Sequence, residues 1–254
     1  MSTGFIHLDV FKQTPVIKGY ALLIGNEQYD EFSDLSGPIK GVTEIGKLLE
    51  NNYGYQVESI INASKKSLIR KFDSLSRQNY NDYDHLLIYY IGQASFNVRD
   101  KEGYVIPIDA INNGSEISSY LSYAEIVKLT DGISCNHLLL VLDGAFGKTF
   151  SQIYDRQFSA ALPKEVLNFE LKLKLRTRYA ITSGGKNYVP GPIKGEPSVF
   201  TNQFIIGLKN PGTDNILELN ELKYYLVQQE ISPAMSSFGS DEPGSDFFFI
   251  VNDK

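Results

Sequence analysis

Three segments of this chain, GYALLIG (19–25), DHLLIYYIG (84–92) and HLLLVLD (137–143), are apolar on nearly every residue. A strand that is wet on one face alternates apolar and polar residues. A strand apolar throughout is covered on both faces, which is the condition of a parallel sheet between two layers of helices. The segments between them carry the helical period. In PIKGVTEIGKLLENNYG the residues Ile39, Val42, Ile45, Leu48 and Leu49 fall on one face, Pro38 suits the first turn and Gly54 ends it. SKKSLIRKFDSLSRQ reads as a second helix capped by Ser64 or Asn62. YQVESII, RYAITSGG and the closing DFFFIVN read as further strands, EGYVIPID as a short edge strand or hairpin arm. SYAEIVKLTDGI, SVFTNQFIIGLK and LNELKYYLVQQ read as helices. The expectation is an α/β fold in three layers, a mostly parallel six-stranded sheet flanked by helices.

Ligands on such sheets bind beyond the carboxyl ends of the strands. That directs attention to GNEQYD after the first strand, GQASFN after the third, DGAFGKTF after the fourth and SGGKNYVPG after the fifth. The net charge of −6 and the lack of a dominant basic block argue against nucleic acid as the main partner. No apolar run approaches ~20 residues, so no membrane span is expected. The opening MSTGFIHLDVFKQTPVIKG lacks a signal-peptide core, and the sole cysteine, Cys135, suits a reducing compartment. A cytoplasmic location is expected. The stretch from Ser151 to Leu175 is the most loop-like connection. Lys164, Lys172, Lys174, Arg176 and Arg178 near its end read as a solvated charged face.

GAFGKT after a buried strand invites comparison with a phosphate-binding loop, where glycines let backbone N–H groups wrap a phosphate. The first glycine of that loop must lie five positions before Gly147, where Leu142 stands. Gly144 is two residues too close, so the loop cannot close round a phosphate in that way.

Taken in order, the strand-end loops resemble the caspase-like cysteine peptidases, metacaspases and their bacterial relatives included. The resemblance runs from Gly19 to Val251 through YALLIGNEQYDEF, the helix and the GYQV strand, then DHLLIYYIGQASF, EGYVIPIDA and HLLLVLDGAFGKTF. It continues through AITSGGKNYV, PSVFTNQFIIGL, LNELKYYL and GSDFFFI. It implies a caspase-like domain over residues 18–254 after an N-terminal extension, 1–17. Within it, 18–150 would be large-subunit-like, 151–176 a linker and 177–254 small-subunit-like.

In that family a cysteine thiolate attacks the peptide carbonyl, a histidine handles the proton and backbone N–H groups at the turn hold the oxyanion. The family's Gly-His-Gly falls on Gly92, Gln93 and Ala94, and its cysteine on Ala145. Glutamine does not titrate and alanine offers no attacking atom. Relatives often carry an aspartate where Gly41 stands, and an acidic residue near Gly191 that shapes a pocket for basic side chains. Asp143 matches the aspartate before the family's cysteine. With Gly144, Ser183 and Gly184 it would belong to the groove. Ala145 has a second reading, an engineered replacement of a catalytic cysteine, although Gln93 and Ala94 would not be touched by that change.

No other residues offer a replacement dyad. Cys135, His137 and His85 stand at the starts of strands, far from their functional ends, and His7 lies in the N-terminal extension. Three scattered histidines and one cysteine give no metal-ligand spacing. Asp30, Glu31 and Asp34 read as an acidic surface loop rather than a cation site, and Ser183 has no base beside it. Most of the sixteen tyrosines read as core, some as candidate partner surface. The resemblance and its losses imply a catalytically inactive pseudopeptidase that binds a peptide segment or regulates an active caspase-like protease. It would need no cofactor and no metal, and both a monomer and a dimer paired through the last strand are open to it. The alternative is a caspase-like cysteine endopeptidase inactivated by cysteine-to-alanine replacement at position 145.

Overall fold

The computed structural model describes residues 16–97, 99, 101–113, 117–144, 169–184, 193–227 and 233–252. Its strands up to the middle of the chain are β1 (Gly19–Gly25), β2 (Gln56–Ile61), β3 (His85–Ile91), β4 (Ala94–Asn97), β5 (Glu102–Val105) and β6 (Leu121–Ser122). They are followed by β7 (His137–Asp143), β8 (Thr177–Thr182), β9 (Ile216–Glu218), β10 (Ala234–Ser237) and β11 (Phe248–Ile250). The helices are α1 (Pro38–Tyr53), α2 (Lys65–Ser76), α3 (Tyr123–Asp131), α4 (Phe169–Lys172), α5 (Val199–Lys209) and α6 (Leu219–Leu226).

Six strands form the main sheet in the order β10-β8-β7-β3-β1-β2. All its pairings are parallel except that of β10 with β8. β3 and β7 are buried on every residue, as their unbroken apolar sequences demand. Their side chains alternate between two cores. Leu87, Tyr89, Leu139 and Val141 pack with Val42, Ile45 and Leu49 of α1 and with Phe204 of α5. Leu86, Ile88, Leu138 and Leu140 pack with Leu68, Phe72 and Leu75 of α2 and with Ile126 of α3. These are the three layers expected. No helix among the described residues is long and apolar enough to cross a membrane.

Local sequence sets the helix ends. Gly37 precedes α1 at φ 108° and has no side chain to cap it. Instead Glu27, reaching back from the loop after β1, accepts the N–H groups of Gly37 (3.1 Å) and Ile39 (2.9 Å). Gly54, at φ 66°, ends the helix. Ser64 caps α2, its Oγ accepting the Ser67 N–H at 3.2 Å. Asn62, the other candidate, sits at φ 54° and accepts the N–H of Glu27 at 2.9 Å.

Three expectations are corrected. The sixth strand of the sheet is β10, whose sequence AMSS carries no apolar signature, and not DFFFIVN. β11 pairs with β9 in a separate two-stranded sheet, and its Phe249, with Phe247 just before it, packs in the core on the α1 side. The closing strand is therefore no edge of the main sheet. GQASFN is not a loop either, since Ala94–Asn97 is β4 and pairs antiparallel with β5.

The charge run leading into β8 is a solvated face only in part: Lys174 is exposed, but its last member is not. Arg178 is 0% exposed and donates to the carbonyls of Asn136 (3.0 Å), Thr177 (2.8 Å) and Ile133 (2.7 Å). Burial draws its guanidinium pKa down to about 10, so it stays charged at neutral pH. Its fork of donors reaches carbonyls in the link between α3 and β7 and at the start of β8, a task that lysine cannot perform equally. Lys172 bridges Glu218 at 2.9 Å and Asp246 at 3.0 Å. Lys164 lies outside the described residues.

Candidate active site

The carboxyl ends of β3, β7 and β8 meet at one place. Gly92 donates its N–H to the Asp143 carbonyl at 3.2 Å, and Gly144 donates its N–H to Ser183 Oγ at 2.9 Å. A β-carbon on Gly92 would run into the hydroxyls of Tyr90 and Tyr29, so glycine is required there. Gly144 and Gly184 sit at φ 107° and 78°, where glycine is strongly favoured.

Gln93 is held at every polar atom of its backbone. Its N–H donates to Tyr29 Oη at 2.8 Å. Its carbonyl accepts from the Tyr90 hydroxyl at 2.9 Å and from the Ile106 N–H at 3.0 Å. Its side-chain amide donates to the Ser33 carbonyl. That last bond spans from β3 to the loop after β1, so the amide serves as a latch on this loop. Tyr29 is held in turn by its hydroxyl on the Asn26 carbonyl at 3.4 Å and by its N–H on Asp34 at 3.0 Å. Burial pushes the Tyr29 phenol up to about 12 and Tyr90 well above its ordinary value. Both are neutral hydroxyls at working pH.

Asp143 is 1% exposed and points into the protein. Its Oδ2 accepts from Ser198 Oγ and, at 2.7 Å, from Thr201 Oγ1. Ser198 is the N-cap of α5, its Oγ accepting the Thr201 N–H at 2.9 Å. Desolvation raises the Asp143 carboxyl to about 6, against the pull of these bonds. Gly41 is closely packed, so that a larger residue there would require Ile91 to shift. A β-carbon there would stand 2.8 Å from Ile91 Cδ1 and 3.1 Å from Thr201 Cγ2.

Gly92, Gln93, Asp143, Gly144, Ser183 and Gly184 are thus gathered at one end of the sheet. Ala145, Gly147 and Gly191 lie outside the described residues, as does His7. His85 and His137 begin β3 and β7, at the opposite end of seven-residue strands and roughly 20 Å from the site. They stack on each other with centroids 4.5 Å apart. Cys135 is fully buried, and desolvation pushes its thiol up to about 12. It is a small apolar residue with an inert sulfur. Among the described residues no group of three or more His, Cys, Asp or Glu could hold a metal. Asp34 is engaged by Tyr29, and Glu31 accepts the Asn112 N–H at 2.8 Å.

The described residues at this end therefore supply hydrogen-bond donors, acceptors and one enclosed carboxyl, but no imidazole. Tyr29, Tyr90, Ser198 and Thr201 are site residues that sequence reasoning missed. Ser198 carried a usable signal, a serine after proline at the head of an apolar helical period.

Among solved structures the chain is similar to the Drosophila initiator caspase Dronc. The TM-score is 0.61 over 91% of this chain and 82% of that one, at 12% identity. At that identity the likeness carries the fold alone. No curated protein matches the chain at the level of sequence. The profile of the caspase domain, in the C14 peptidase family, matches residues 18–237. That span runs from the residue before β1 to the last residue of β10 and takes in the whole main sheet, so the chain belongs to the caspase-domain family.

Proposed function

We propose that this caspase-domain protein works by binding rather than by cutting: it holds a peptide segment at the strand ends, or binds and regulates an active caspase-like protease. The observation that carries this reading is the use made of Gln93. The position that holds the family's base carries an amide, and that amide is spent on the Ser33 carbonyl. Ala145 provides no nucleophile. Among the described residues no imidazole stands at these strand ends to serve a cysteine restored at 145, since His85 and His137 begin their strands at the far end. This weighs against the reading of an inactivated cysteine endopeptidase.

The test is a peptidase assay on the chain as written beside an Ala145→Cys, Gln93→His double variant, with basic and acidic peptide reporters. The chain as written is expected to cut nothing. Cleavage by the double variant alone supports a groove that still receives peptide. Cleavage by the chain as written overturns the proposal. A natural gene encoding cysteine at position 145 reinstates the endopeptidase reading.

A further inference from the structure

Among the described residues the main sheet has a bare rim at β2. All six residues of β2 pair with β1 in unbroken register, from Gln56 on Tyr20 to Ile61 on Gly25. No described strand lies on its outer side. The Asn62 N–H donates to the Gly25 carbonyl at 2.9 Å, and this sets the phase of the ladder. Backbone groups alternate in direction along a strand, so those of Gln56, Glu58 and Ile60 turn towards β1. The N–H and C=O groups of Val57, Ser59 and Ile61 turn outward.

Proteins usually blunt such an edge with lysine, proline, a bulge or a charge aimed inward. QVESII carries only Glu58, which is occupied by Lys71 of α2. The groove beside it is ready-made. A cleft of about 240 Å³ lies between Val57, Leu75 and Gln78, and an open recess of about 450 Å³ lies between Ile60, Lys66, Arg70 and Ser74. Ile61, the last residue of this strand, is 40% exposed.

Charge indicates the occupant. Gln56, Glu58 and Ile60 share the α2 side of the sheet, because they lie in register with Tyr20, Leu22 and Ile24. The exposed side of α2 above them presents Lys66 and Arg70. Neither has an ion-pair or hydrogen-bond partner among the described residues. Two unpaired cations beside an open strand stand out in a chain of net charge −6. A second copy fits poorly, since two-fold pairing of β2 with itself would set the two basic stripes side by side.

We infer that the β2 edge docks an extended acidic segment of a partner protein, which adds a strand to the sheet and lays its carboxylates against Lys66 and Arg70. Main-chain bonds to Val57, Ser59 and Ile61 supply affinity, and alternate side chains supply selectivity. This site is separate from the ends of β3 and β7 and does not depend on what binds there.

The test uses the full chain and two dye-labelled synthetic peptides that alternate valine with glutamate or valine with lysine. The glutamate peptide is expected to bind by fluorescence anisotropy, more weakly as salt is raised, and the lysine peptide is not. Binding should slow amide exchange at Val57, Ser59 and Ile61. Lys66→Glu with Arg70→Glu should weaken it about tenfold. Ser59→Pro should abolish it without lowering the melting temperature, because the N–H it removes faces outward. Should Ser59→Pro fail to fold, the charge-reversal pair decides. Equal binding of both peptides, or binding unaffected by the charge reversal, overturns the inference. So do slow exchange at these amides in the free chain and binding retained in a folded Ser59→Pro variant.

Discussion

Thr201 Oγ1 donates a 2.7 Å hydrogen bond to Asp143 Oδ2, which ties the carboxyl end of β7 to the first turn of α5. The carboxyl is raised from 3.8 to about 6 by burial. Between those values the folded chain holds a proton that the unfolded chain has released. Its contribution to stability is therefore complete below 3.8 and lost as the pH climbs through 6. Asp143→Asn has no proton to lose. Relative to the parent, this variant should gain stability from pH 4 to about pH 6 and level off above it, measured as urea midpoints. Parallel profiles for the two proteins would sink the assignment.

Gln93→Ala removes the amide that latches the Ser33 carbonyl. A single such bond is worth about 1 kcal/mol, so the fold should survive while the loop after β1 loosens. Limited chymotryptic digestion, followed by mass spectrometry, should show faster cutting at Tyr29 or Phe32. An unchanged rate would mean that the latch is idle and that its neighbours hold the loop unaided.

Arg178 and Lys174 look alike in sequence and differ in the structure. Arg178→Met removes a charged donor from three carbonyls, of which Asn136 keeps the Thr177 N–H and Ile133 keeps Arg176, and should cost about 3 kcal/mol. Lys174 is exposed, and Lys174→Ala should stay within about 0.5 kcal/mol. Chemical denaturation of both variants measures the contrast, and similar losses would refute it.

His85 and His137 stack with an interplanar angle of 12°, and His85 Nε2 has no partner among the described residues. Burial depresses both imidazoles, His137 to about 4 from 6.5. Unfolded histidines take up protons first as the pH falls below 6.5, so stability drops from there towards the folded values. His85→Phe keeps a ring beside Phe247 and discards the orphaned nitrogen. At pH 7 it should match the parent within about 1 kcal/mol. From pH 6.5 to 4.5 it should lose less stability. An identical acid slope in urea titrations would count against this account.

What the sequence disclosed follows from how locally each feature is encoded. β3 and β7 were legible because burial on both faces writes every residue apolar. β10 was not, because an antiparallel rim strand can be built from Ala-Met-Ser-Ser when Ser236 and Ser237 are buried by their surroundings. DFFFIVN misled for the opposite reason: its aromatics fill a core, and a core does not reveal which sheet a strand joins. Gln93 was legible through the order of motifs around it, but its tie to Ser33 was not. The Asp143–Ser198 contact joins residues far apart in sequence, and no local pattern encodes it. Arg178 was misread because a charge run says nothing of the carbonyls of Ile133, Asn136 and Thr177 that meet it in the fold.

β7 and β8 are ladder neighbours in the middle of the sheet, with Leu138 to Leu142 in register on Arg178 to Thr182. On one side they share a core in which Leu139 and Val141 meet Ile181, Phe204 and Phe249. The covalent path between the two strands passes through residues 151–168, while the ladder and core just named are built from residues on either side of that stretch. A polypeptide cut anywhere in that stretch should therefore persist as two fragments in one particle. It would give two bands on a denaturing gel and a single peak, at the mass of the intact chain, in gel filtration.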